Sequence, residues 1–192
     1  MMIRILLLCF CVLSTLMSEV RPLAMKPFDF NDQGHTYNRG TYMIIMPASL
    51  SSYLDNETYG GDFVMFKKTQ GFDVELVHLE DIPFESNEIG AQDVKDFIYD
   101  YYSSDNMLEY VLLVGDVNGT YKIPTFTIDS YNEEDIDVTD YPYTFSDDPY
   151  DPDFFVGRWS ISSVVDFLNI KSRSIQYIKM DNLESADFLN NS

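Results

Sequence analysis

The chain has 192 residues, with 32 acidic against 12 basic side chains and a formal net charge of −20. Such a field repels phosphate backbones and anionic membrane surfaces, which excludes nucleic acid as a partner and favours cationic partners or divalent ions. At 45% hydrophobic and 15% aromatic residues the chain can bury a core, and with both cysteines, Cys9 and Cys11, near the amino terminus, no disulfide can staple the remainder.

Residues 1–24 open on Arg4, continue through the apolar run Ile5-Leu6-Leu7-Leu8-Cys9-Phe10-Cys11-Val12-Leu13 and end in a more polar tail. That layout is a signal peptide, with cleavage after Ser18 or Ala24, and its apolar core is short for a bilayer span. A single membrane anchor is the competing reading. Residues 25–39 are polar and irregular and read as a linker or arm.

Periodic patterning then begins. Residues 41–47 (TYMIIMP) form a short apolar run between Gly40 and Pro47, the signature of a buried strand. A helix is expected over 53–70, or over the part after the Gly60-Gly61 pair, which weakens a continuous helix, with Gly71 at its carboxyl end. Residues 72–79 alternate apolar and polar as a second strand. Residues 91–102 place Val94, Phe97, Ile98 and Tyr101 on one helical face. Residues 109–114 (EYVLLV) are a third strand, apolar on both faces as strands of covered parallel sheets are. Further short strands are expected in 122–128 and 153–160, and a last helix in 162–180, capped by Ser162 or Ser163. Strands alternating with helices predict an α/β fold, a largely parallel sheet flanked by helices.

No lysine or arginine stands between Lys122 and Arg158, while ten aspartates and glutamates do. Prolines 142, 149 and 152 keep this stretch out of helix. Its tightest part carries Asp147, Asp148, Asp151 and Asp153, with Asp140 just before. Closely spaced carboxylates can wrap calcium, which takes six to eight oxygen ligands. The alternative is a solvated acidic loop, and the fit to an EF-hand is poor, since the loop glycine and closing glutamate are missing.

Gly115-Asp116 follows the third strand, where open α/β sheets bind ligands, although a strand-ending turn explains it equally. His78 lies in the second strand and His35 in the arm, neither beside a nucleophile. Tyr99, Tyr101 and Tyr102 read as a packing face of the second helix. Asn56-Glu57-Thr58 and Asn118-Gly119-Thr120 match the N-glycosylation pattern. The motifs of nucleotide binding, zinc peptidases and serine-elbow hydrolases are absent.

The pieces TYMIIMPASL, FKKTQGFDVELV, EYVLLVGDV followed by IPTF, TDYPYTFSDDPYDPDFFVGRWSISS and SIQYIKM occur in an order that resembles the first lobe of the gingipain-type cysteine peptidases. The resemblance covers residues 40–185, with 186–192 as a tail. It implies a caspase-like first lobe, an incomplete domain, and, in the full-length protein, a Cys–His dyad that hydrolyses peptide bonds through a thiolate. It also implies structural calcium, for which Asp140, Asp147, Asp148, Asp151 and Asp153 are the candidate ligands. The family's catalytic cysteine and histidine belong to a second lobe. No residue here matches them, so no catalytic residue is assigned and the chain is expected to be inactive alone. The implied partners are the second catalytic lobe of the same protein and protein or peptide substrates. The expected location is secreted or cell-surface, without stable membrane insertion. A secreted calcium-dependent binding or adhesion module of the same fold is the alternative, and a receiver-like domain centred on Asp116 fits poorly with a secretion signal.

Overall fold

The computed structural model describes residues 39–104, 107–129 and 136–179, all within a single unit, Thr36–Ser192. Residues 1–24, expected to be a signal peptide, and residues 25–38 of the expected arm lie outside the described residues. Strand β1 (Thr41–Met46) is the centre of the lobe. Four consecutive side chains, Met43, Ile44, Ile45 and Met46, are fully buried, two on each face. Such a strand is stable only when both faces are covered.

It is flanked by β2 (Asp73–His78) and β3 (Leu108–Val114), and β3 by a later strand at Phe155–Trp159. The sheet order is therefore β2-β1-β3-(155–159), and every pairing is parallel. The intervening helices are α1 (Ser51–Leu54), α2 (Phe63–Thr69), α3 (Ala91–Ser103) and α4 (Val164–Lys179). One core layer joins Met43, Ile45, Val111 and Leu113 to Val94 and Ile98 of α3. The opposite layer joins Ile44, Met46, Leu112 and Val114 to Leu54, Phe63, Phe167 and Ile175 of the other three helices. The period-two alternation of β1 and β3 thus sorts their side chains between two helical layers.

Local chemistry sets the helix ends. Asp62 caps α2, accepting the Met65 N–H at 2.8 Å, so the helix starts just after the Gly60-Gly61 pair. Gln70 is its carboxyl cap, and Gly71 follows at φ 88°, the left-handed geometry that glycine supplies most easily. Of the two serines expected to cap α4, Ser163 does so. Its carbonyl accepts the Phe167 N–H, and Asp166 reaches back to the hydroxyls of Ser162 and Ser163.

Among the described residues, the connection from β3 to the last strand carries no α-helix. It contains a two-stranded antiparallel hairpin, β4 (Phe126–Asp129) with β5 (Ile136–Thr139), outside the main sheet. The strand expected within 122–128 is therefore a hairpin arm. The edge strand Phe155–Trp159 is β6. In place of a crossover helix, fully buried Tyr143 and nearly buried Phe154 fill the layer beside α3.

Lys67 of α2 is only 9% exposed. Its ammonium lies 4.5 Å from the centroid of the Tyr42 ring, 5.4 Å from that of Phe63 and 5.9 Å from that of Phe72. Burial, and secondarily the charge of Arg39, pushes its pKa down to about 8. The unfolded chain then holds a proton that the folded chain releases, so stability rises with pH from about 8 toward the ordinary lysine value of 10.5. Tyr42, pushed up to about 12 by burial, opposes this only once pH passes its ordinary value of 10.0. Lys67→Met should lessen the rise between about pH 8 and 10 while keeping the apolar packing, the remainder coming from fully buried Lys171, whose pKa burial also lowers. Urea denaturation across that range checks this, and a wild-type profile that the substitution leaves unchanged would contradict it.

Candidate functional site

At the carboxyl edge of the sheet, β1 and β3 send their following segments to opposite sides, because the strand order reverses between them. Ligands of open α/β sheets bind at such a switch point. Gly115-Asp116 stands there. Gly115 is required by close approach, since a Cβ would lie 2.2 Å from the Tyr121 carbonyl oxygen. Asp116 closes the turn by its backbone: its N–H donates to Tyr121 and its carbonyl accepts from Ile123. Its carboxylate accepts the Val117 N–H at 2.8 Å. Of the two readings of this dipeptide, these bonds describe the strand-ending turn.

The densest polar cluster lies beside it and is centred on Arg158 of β6. The guanidinium Nε donates to Asp140 Oδ2 at 2.7 Å, and Nη2 donates to Asp140 Oδ1 at 2.7 Å. Nη2 also donates to the Pro124 carbonyl at 3.0 Å, while Nη1 donates to the carbonyls of Gly115 and Ile123, both at 3.1 Å. These bonds use all five N–H donors that a guanidinium has. The side chain is 9% exposed and that of Asp140 25%. The Pro124 carbonyl also accepts from the buried Tyr143 hydroxyl at 2.7 Å, so both its lone pairs are used. Burial pushes the Tyr143 phenol up. With every donor committed to its own chain, Arg158 has none left for a substrate carboxylate or oxyanion. It joins the end of β3, the turn to β4, and the 3₁₀ turn at Tyr141–Thr144 that follows Asp140.

The five aspartates expected to hold calcium do not form one donor set in this arrangement. Asp140 is forked onto Arg158, with the Thr125 hydroxyl 3.0 Å away. Asp153 faces α3, accepting from the Tyr99 hydroxyl at 2.8 Å and from the Ser146 N–H at 3.2 Å. Burial, and then the bond to Asp153, pushes the Tyr99 phenol up. Asp148 accepts the N–H of Tyr150 within its own turn. Asp147 and Asp151 are exposed. Among the described residues no three His, Cys, Asp or Glu side chains converge so as to hold a metal ion. In this arrangement Arg158 supplies the positive charge at Asp140.

Tyr99 and Tyr102 pack their rings 5.4 and 5.5 Å from Phe154, so the tyrosine cluster of α3 grips the acidic segment. His78 ends β2, which two strands, β1 and β3, separate from β6. Its Nδ1 is 3.4 Å from Asp81. No cysteine lies among the described residues, and His35 lies outside them. The role of Arg158 went unassigned from sequence, although one signal was present: it is the first basic residue after ten acidic ones.

A parallel four-stranded α/β lobe with an arginine-clamped acidic insertion defines the class of protein, one lobe of a caspase-like peptidase domain. The sequence model of peptidase family C25 matches residues 35–192, and the chain belongs to that family, the gingipain-type cysteine peptidases. Among solved structures, the complex of Porphyromonas gingivalis RgpB pro- and mature domains matches at 28% identity and TM-score 0.58, covering 72% of this chain and 29% of that one. The Arg-specific cysteine proteinase gingipain R (RgpB) matches at 26% identity and TM-score 0.54, covering 76% and 29%. A structure described as a protease, at 22% identity and TM-score 0.55, covers 76% and 30% and speaks to the fold alone. The chain thus spans under a third of these structures. Comparison with curated proteins gives no match.

Because Arg158 satisfies this cluster, Arg158→Met should destabilise the lobe by about 3–5 kcal/mol, leaving the Asp140 carboxylate without its counter-ion and the Gly115 and Ile123 carbonyls without their guanidinium donor. Asp140→Asn should also destabilise it, and by the same amount in EDTA as in calcium. Thermal melts in both buffers check this; a loss confined to calcium buffer would assign Asp140 to a metal.

Proposed function

We propose that this chain is the amino-terminal, non-catalytic lobe of a secreted gingipain-like cysteine endopeptidase, and that it is inactive by itself. Its role on this reading is scaffolding. The frame built by β3, β6 and Arg158 supports a second lobe of the same protein that carries the thiolate and imidazole, and that whole protein acts on protein or peptide substrates. The observation that carries the proposal is the family match over residues 35–192, a span that contains no cysteine and only two histidines, His35 and His78. A thiolate nucleophile must come from elsewhere. Secretion rests on the signal-like residues 1–24. Calcium is not part of the proposal, because the loop offers no convergent donor set.

The alternative of a calcium-dependent binding module draws support from the exposed acids of the 147–152 loop alone. Purified residues 25–192 should cleave neither casein nor arginyl and lysyl peptide amides, with or without reductant. Thiol-dependent hydrolysis by that fragment would overturn the proposal.

A further inference from the structure

Of the two Asn-X-Thr sequences in the chain, the structure separates one from the other. Asn118-Gly119-Thr120 occupies the turn after β3, and all three residues are exposed. The turn is tied only at its base, by the bonds between Asp116 and residues Tyr121 and Ile123. Around Gly119, at φ 84°, a Cβ would meet nothing within 4 Å, so no other segment crowds the middle residue of the turn.

Asn56-Glu57-Thr58 is held differently. Asn56 is half-buried; its side-chain oxygen caps the 3₁₀ turn Glu57–Tyr59 by accepting the Thr58 N–H at 2.9 Å. Its carbonyl accepts at 3.2 Å from the ammonium of Lys171, a fully buried lysine of α4 that also donates to the Tyr53 carbonyl. Drawing this segment out into an enzyme groove would strand the buried ammonium. The two sites differ in charge as well. Asp116 stands two residues ahead of Asn118 and offers a carboxylate that a basic enzyme groove can grip, whereas Leu54 holds that position before Asn56.

We propose that Asn118 is an N-glycan acceptor in the folded lobe and that Asn56 is not. In the transfer, the Asn118 Nδ2 forms a bond to the anomeric carbon of an oligosaccharide. The bond from that carbon to the diphosphate of a lipid-linked donor breaks, the lipid diphosphate leaves with the electron pair, and the amide gives up one proton. The glycan then stands on the carboxyl edge of the sheet, clear of the Arg158 cluster, which faces the inner side of the same turn.

The test uses purified, folded chain incubated with an oligosaccharyltransferase and a lipid-diphosphate-linked oligosaccharide, followed by intact mass and peptide mapping. A reporter peptide in the same tube shows that enzyme and donor are active. With purified components, the outcome does not depend on the secretion or peptidase readings. The expected result is one glycan, mapped to residue 118 and released by peptide N-glycosidase with aspartate left behind. Asn118→Gln and Thr120→Ala should each abolish it, and Thr120→Ser should retain it, since the hydroxyl two residues on is what the transferase reads. An unmodified chain beside a glycosylated reporter would overturn the proposal, as would a glycan at Asn56 or one that survives Asn118→Gln.

Discussion

The Arg158 guanidinium holds the lobe's most acidic segment in place. A parallel sheet needs both faces covered, and the usual cover between adjacent parallel strands is a helix. Between β3 and β6 this chain has a hairpin and a proline-bearing acidic stretch instead. Such a stretch has weak reason to lie against an apolar layer, because its carboxylates repel one another and prefer water. Arg158 offsets this with five hydrogen bonds from one planar group: two to Asp140 and three to carbonyls in the turn that follows β3. The geometry suits arginine and not lysine, whose three donors on a point charge cannot form the same fork.

Around that clamp the remaining contacts fall into place. Tyr143 drops from the 3₁₀ turn into the core and bonds Pro124, next to the arginine. Phe154, eleven residues further on, packs against Tyr99 and Tyr102, and Asp153 accepts the Tyr99 hydroxyl. The acidic segment is thereby attached at two points, one to β6 and one to α3. The exposed acids Asp147, Asp148 and Asp151 lie between those attachments. The segment serves as the missing crossover cover, built from aromatic anchors and one ion pair.

Much of this was legible in the sequence, and the boundary is physical. Strands β1 and β3 were visible because their runs are apolar on both faces, and α3 because Val94 and Ile98 recur at helical spacing. The caps Asp62 and Ser163 follow from short-range chemistry. What was not legible depended on long-range pairing. Of the β4–β5 hairpin only the first arm overlapped an expected strand, at 122–128; β5 is four residues long and pairs with β4 outside the main sheet. The fork between Asp140 and Arg158 joins residues eighteen apart in the chain, which no local spacing announces. Likewise the tyrosines of α3 were recognised as a packing face, but the surface they pack on is an insertion that no periodicity announces.

The central claim, that an internal arginine and not a metal orders the acidic segment, is tested most directly by hydrogen exchange of the chain in EDTA. The account predicts slow exchange at the amides of Ile123, Tyr143 and Asp153, which donate to Asp116, Asp140 and Thr144, with no added protection when calcium is supplied. Fast exchange at these amides in EDTA, becoming slow only on addition of calcium, would contradict it.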